Sequence, residues 1–149
     1  MPIKARKGLK NNINLDNNTT AMTYLERVRL AKQEDIHANW EVLGDESQLA
    51  TLIQQSYEKP VAIFKHSIHC GTSAMIKHHL ETQWEFSPDE LSFFYLDLIN
   101  RRSVSNKVAE VFNVVHQSPQ IIILKDGEVT FHTSHLMIST KAIQKAIKS

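Results

Sequence analysis

The chain has 149 residues, 42% of them hydrophobic and 22% charged, with a formal net charge of +1, which is the composition of one globular domain. So balanced a charge gives no electrostatic reason to expect nucleic acid or an anionic membrane as a partner, and no apolar run approaches the roughly 18 residues of a bilayer span. One cysteine in the whole sequence, Cys70, excludes an internal disulfide and a zinc site built mainly from thiolates.

Residues 1–37 read as an N-terminal extension. Up to about Thr20 it is rich in Asn and Lys, without a period that buries a face, and a disordered arm is expected. Lys4, Arg6, Lys7 and Lys10 are not followed by the apolar stretch of a signal peptide, so the expected compartment is the cytoplasm. From Ala21 to about His37, the residues Met22, Leu25, Val28 and Leu30 predict a weakly amphipathic helix.

The compact domain is expected over 38–149. Trp40, Val42 and Leu43 predict a short strand broken by Gly44, and Asp45 is the expected N-cap of a helix carrying Leu49, Leu52 and Ile53. After Pro60, the run Val61 to Phe64 predicts a central strand buried on both faces. A helix with Ala74, Met75, Ile76 and Leu80 follows Cys70, then an aromatic strand from Phe93 to Leu98. Val104, Val108, Val111 and Phe112 place a helix between Ser103, its expected N-cap, and Asn113. Ile121 to Leu124 and Val129 to Thr133, joined by Asp126-Gly127, form a β-hairpin, and Thr140 to Ser149 closes the chain as a helix. The order β-α-β-α-β-α-β-β-α predicts an α/β fold whose central mixed sheet is flanked by helices, and it resembles thioredoxin.

Cys70 falls where a buried strand passes through a short loop into a helix. Unpaired backbone N–H groups at a helix start favour negative charge, and the thiolate is the reactive form of a cysteine. Ser73, three residues on, lies on nearly the same helical face and either donates to that thiolate or caps the helix. His69 is a supporting candidate, alternatively a solvated loop residue. Lys65 is expected to be a strand-end lysine pointing into water. Ser118-Pro119 marks the start of a strand, for which a trans bond is the simpler reading. The eight histidines include no His-Glu-x-x-His pattern, and no metal site is expected.

The stretch FKHSIHCGTS resembles the FKHSxxCxxS segment of the monothiol bacilliredoxin family, and YLDLINRRSVSNKVAEVFNVVHQSPQ and KDGEVTFHTSHLMI resemble its second and third blocks, a match running from about Trp40 to Ile147. The resemblance implies a thioredoxin-like fold and removal of bacillithiol from mixed disulfides on protein cysteines. Cys70 and Ser73 would be the catalytic pair, and His69, Gly71, Thr72, Ser118 and Pro119 would line the substrate site, with Pro119 as the cis-proline of that fold. No bound cofactor is implied. The partners would be S-thiolated client proteins, bacillithiol or a similar small thiol, and a regenerating thiol or reductase. The Gly71-Thr72 pair departs from that family and brings CGTS near the CGFS of monothiol glutaredoxins, so two alternatives stand beside the enzyme: an iron-sulfur carrier and a non-catalytic adaptor.

Overall fold

The computed structural model describes residues 23–149; the arm expected up to about Thr20 lies outside them. The chain forms helix α1 (Tyr24–Gln33), strand β1 (Trp40–Val42), α2 (Gln48–Gln55), β2 (Val61–His66), α3 (Gly71–Thr82) and β3 (Ser92–Asp97). It continues through α4 (Arg102–Phe112), β4 (Gln120–Lys125), β5 (Glu128–Ser134), a 3₁₀ turn (His135–Met137) and α5 (Thr140–Lys148). The five strands make one sheet in the order β1-β3-β2-β4-β5. β2 pairs parallel with β3 and antiparallel with β4, and β5 closes the far edge as the second arm of a hairpin.

Because side chains alternate along a strand, the sheet feeds two cores. Ala62 and Phe64 face one layer with Trp40, Ile76, Leu80, Phe93, Tyr95 and Ile143, covered by α1, α3 and α5. Val61 and Ile63 face the other with Leu49, Leu52, Leu96, Val104, Val108 and Ile122, covered by α2 and α4. Burial of β2 on both faces is what its unbroken apolar run predicts. Each fully buried large apolar side chain contributes about 1.5–3 kcal/mol relative to exposure, so this central strand is rigid support for whatever its end carries.

Several boundaries differ from expectation for local reasons. Helix α1 starts with a capping box, in which Thr23 Oγ1 accepts from the Glu26 amide and Glu26 Oε2 from the Thr23 amide. Its inward residue is Ala31, which joins the core together with Ile36, while Leu25 faces solvent. A small residue there lets the helix approach the sheet closely. Asp45 does not cap α2; its carboxylate accepts from the Ser47 amide and stabilises the preceding turn, and Ser47 takes the N-cap position. Ser103 lies inside α4, whose N-cap is Arg101, because Asp97 Oδ1 already accepts from the Ile99 and Asn100 amides and holds the loop before it. The hairpin is as expected: Asp126 and Gly127 both have positive φ, the requirement of a type I′ turn. Any Cβ at Gly127 would also collide with the Tyr57 ring.

Lys65 is the largest departure. It is completely buried, because β2 is central and α4 closes over this end of it. Its Nζ donates to the Ser105 carbonyl at 3.2 Å and lies 3.2 Å from His116 Nδ1. Burial, aided by the charge of Arg102, lowers its pKa from 10.5 to about 8. A folded-state pKa below the unfolded one means that the folded state holds this proton less tightly, so stability rises as pH increases from about 8 towards 10.5. Urea unfolding across that window is expected to show a rise on the order of 3 kcal/mol, and Lys65→Met is expected to flatten it.

Candidate active site

β2 delivers its last residue, His66, to the carboxyl end of the sheet, and a four-residue loop then leads into α3. Ser67 organises that loop: its carbonyl accepts from the Cys70 amide at 3.2 Å and its Oγ from the His69 amide at 3.3 Å. Cys70 is the N-cap of α3, extended at φ −111° and ψ 120°, and its carbonyl accepts the first helical bond from the Ala74 amide at 3.0 Å. The residue is half-buried and its thiol is free. Gly71 and His69 beside it are exposed and Thr72 is half-buried. No atom lies within 4 Å of where a Cβ on Gly71 would stand, so the approach along that side of the sulfur is open.

Ser73 is wholly buried. Its Oγ accepts from the Ser67 amide at 3.0 Å and sits 2.8 Å from His66 Nδ1. These bonds tie the start of the cysteine loop to the first turn of α3 and run to the loop rather than to Cys70. Burial, reinforced by the Lys77 charge and opposed by Asp97, lowers the His66 pKa to about 4, so the ring is neutral near pH 7. Ser73 then donates its own proton to Nδ1 and the imidazole proton resides on Nε2. Ser73→Ala leaves a buried amide and a buried imidazole nitrogen without partners. The expected loss is about 1–3 kcal/mol, read as a lower urea midpoint.

The Ser118-Pro119 bond is cis, where the simpler sequence reading is trans. The register pairs Lys65 with Gln120, which carries Pro119 to the level of His66, at the end of β2 from which the cysteine loop departs. The Pro119 carbonyl accepts from the His135 amide at 3.0 Å, fixing the 3₁₀ turn beside this segment. The Ser118 N–H and C=O have no hydrogen-bond partner among the described residues. Its Oγ is buried and unpartnered. The 3₁₀ turn packs against α3, and Ile68, Met75, Leu136 and Met137 are exposed apolar side chains of the cysteine loop, α3 and that turn.

The family model for monothiol bacilliredoxin BrxC matches residues 41–143, a span holding Cys70, Ser73 and the cis-proline. The chain belongs to the monothiol bacilliredoxin family. Among solved structures it is similar to a protein assigned as an oxidoreductase with a thioredoxin fold, at 25% identity and TM-score 0.57, covering 70% of this chain and 90% of that one. Fasciola hepatica thioredoxin matches at 20% identity and TM-score 0.57, covering 72% and 96% of the two chains. Mitochondrial thioredoxin 3 of Saccharomyces cerevisiae matches at 23% and 0.55, covering 77% and 95%. The last two likenesses establish the thioredoxin fold, and family and fold together assign this bacilliredoxin a role in thiol redox chemistry. Among the described residues no helix is long and apolar enough to cross a membrane.

His66, Tyr95 and Lys77 enter the surroundings of the cysteine loop without having been singled out in the sequence. His66 carried one usable signal, its place as the last residue of a buried strand beside the cysteine loop. Tyr95 read only as part of an apolar strand, because the groups that surround its ring come from segments far away in sequence.

Proposed function

We propose that this bacilliredoxin removes bacillithiol, or a similar small thiol, from mixed disulfides on protein cysteines, with Cys70 as its nucleophile. The observation that carries the reading is a half-buried, free sulfur at the N-cap of α3 in a chain with no second cysteine. The amides of the first turn offer donors to a negatively charged sulfur.

In the first step the Cys70 thiolate attacks the sulfur of the small thiol. A disulfide forms between Cys70 and the small thiol, the disulfide to the client breaks, and the client leaves as a thiolate that takes up a proton. With serine at position 73, nothing in the chain can attack the new disulfide. A second, external thiolate attacks the small-thiol sulfur, releases Cys70 as thiolate and leaves as a new disulfide with the small thiol. The external reductant thus supplies the electrons.

Ser118 offers an unpaired N–H and C=O to an extended client segment, in the manner of an added strand. Pro119 shapes that edge, and Gly71 and Thr72 leave room beside the sulfur, with His69 at its rim. Ile68, Leu136 and Met137 give a client protein apolar contact. Clients and the regenerating thiol or reductase are the partners, no resident cofactor is needed, and the reducing cytoplasm suits the cycle.

The test is a bacillithiolated reporter protein incubated with a catalytic amount of enzyme. Mass spectrometry is expected to show the small thiol on Cys70, cleared when external thiol is added. Release of the reporter no faster than with bacillithiol alone would overturn the proposal.

A further inference from the structure

The stretch that joins α4 to β4 is fixed at both ends. Val114 is buried in the second core and its amide donates to the Ala109 carbonyl at 3.2 Å, and the Pro119 carbonyl accepts from the His135 amide at 3.0 Å. Between these anchors, the main chain of residues 115–118 makes a single hydrogen bond among the described residues, from Gln120 Nε2 to the Val115 carbonyl at 3.0 Å. Val115 is 79% exposed and Gln117 is exposed as well, so burial does little to hold this stretch.

A second hold comes from β2. Lys65 and Gln120 stand opposite one another in the β2–β4 ladder, and residues directly opposite in an antiparallel pair share a face of the sheet. Lys65 therefore lies beside Gln120 under α4, with its Nζ 3.2 Å from His116 Nδ1. Ser105 Oγ is 3.5 Å from the same nitrogen. Among the described residues, His116 is the one side chain of residues 115–118 with a hydrogen-bond partner. Burial, then the charges of Lys65 and Arg102, lower the His116 pKa, so the ring is neutral near pH 7. Nδ1 then accepts from the Lys65 ammonium, and the ring proton resides on Nε2.

The fold itself gains little from this ammonium. Lys65 is completely buried and has no carboxylate partner among the described residues, and the neighbouring charge that bears on it is the cation of Arg102. A buried charge without a counter-ion costs stability where an apolar side chain of similar length does not. Its bond to the Ser105 carbonyl is not required either, because that carbonyl lies inside α4, where the amide four residues on is the ordinary partner. What the ammonium adds is a charge-assisted bond to His116, stronger than one between neutral groups.

We propose that Lys65 is a positioning residue for client binding: through His116 it holds residues 115–118 so that the unpaired N–H and C=O of Ser118 and the exposed side chain of Val115 meet an extended client segment. The consequence is selectivity for mixed disulfides carried on protein over free small disulfides, which do not reach along this edge. Fully enclosed, Lys65 touches no client and acts only through His116. The inference rests on the exchange function proposed above and adds the residue pair that sets its preference for protein substrates.

The full chain is assayed on two disulfides: a bacillithiolated reporter protein, and 2,2′-dithiodipyridine, a small neutral disulfide that needs only the sulfur of Cys70. Lys65→Met is expected to raise KM for the reporter about tenfold with kcat unchanged, as loss of a hydrogen bond from a charged group implies, and to leave the rate with dithiodipyridine as in wild type. His116→Ala is expected to reproduce that split, and it carries the test at a half-buried loop position if Lys65→Met does not fold. His116→Asn, whose carboxamide oxygen accepts from the ammonium, is expected to restore KM. The double variant Lys65→Met/His116→Ala is expected to be no worse than either single one. Without turnover, nitrogen-15 relaxation is expected to show lower order parameters at residues 115–118 in Lys65→Met. Equal losses on both disulfides, an unchanged KM in folded Lys65→Met, or His116→Asn no better than His116→Ala would overturn the inference and keep the exchange function. A wild type that does not speed release from the reporter would remove that function, and order parameters indifferent to Lys65→Met would separately remove the hold on the segment.

Discussion

Cys70→Ser is expected to reduce thiol exchange to the uncatalysed rate while leaving the fold at least as stable as before. The activity loss follows from chemistry: an alcohol is scarcely ionised near neutral pH and its oxygen does not enter disulfide exchange, and no other sulfhydryl exists in the chain to take over. The stability expectation follows from position. Cys70 is the N-cap of α3, yet its side chain makes no capping hydrogen bond, whereas serine is among the preferred N-cap residues and accepts from an amide of the first turn. A gain of up to about 1 kcal/mol is the upper expectation. Residual turnover of the reporter would mean that Cys70 is not the nucleophile. A large fall in melting temperature would mean that the sulfur is a packing element of the core.

The second large effect lies in acid. His66 is almost fully buried, and its pKa falls from an ordinary 6.5 to about 4, chiefly through desolvation. A histidine depressed in the folded state binds its proton more tightly once unfolded, so its contribution to stability is complete above about pH 6.5 and is lost as pH falls through about 4. The two limits imply a loss on the order of 3 kcal/mol. Protonation would also place a second proton against the hydroxyl of Ser73, so the loop that presents Cys70 would loosen over the same range. His66→Gln keeps an acceptor for Ser73 and removes the titration, and is expected to flatten the dependence of the urea midpoint on pH. His37 and His116, also lowered by burial, act in the same direction. Glu41, raised by burial, acts in the opposite one, so the difference between wild type and variant isolates His66. An unchanged slope in His66→Gln would place the acid sensitivity elsewhere.

Much of this was legible in the residues. The unbroken run Val61 to Phe64 required a strand covered on both faces, Asp126-Gly127 required a turn with two positive φ angles, and strand-helix alternation required parallel pairing around a central strand. The same local logic put Cys70 at a helix start and left it without a cysteine partner. Helix termini were less legible, because Asp45 and Asp97 spend their carboxylates on loop amides instead of capping the helices that follow.

Local pattern determined which segments form strands and helices and where the single sulfur falls, since periodicity, turn chemistry and capping act over a few residues. Which polar groups are buried was decided only by the assembled sheet and its covering helices. Lys65 and His66 look like a soluble strand end until β3, β4, α3 and α4 enclose them, and Tyr95 shares a cavity wall with Glu34, Asp35 and Glu81 only because α1 and α3 converge over the end of β3. Desolvation depends on neighbours distant along the chain, so the neutral His66 behind the cysteine loop could not be read from one-dimensional order.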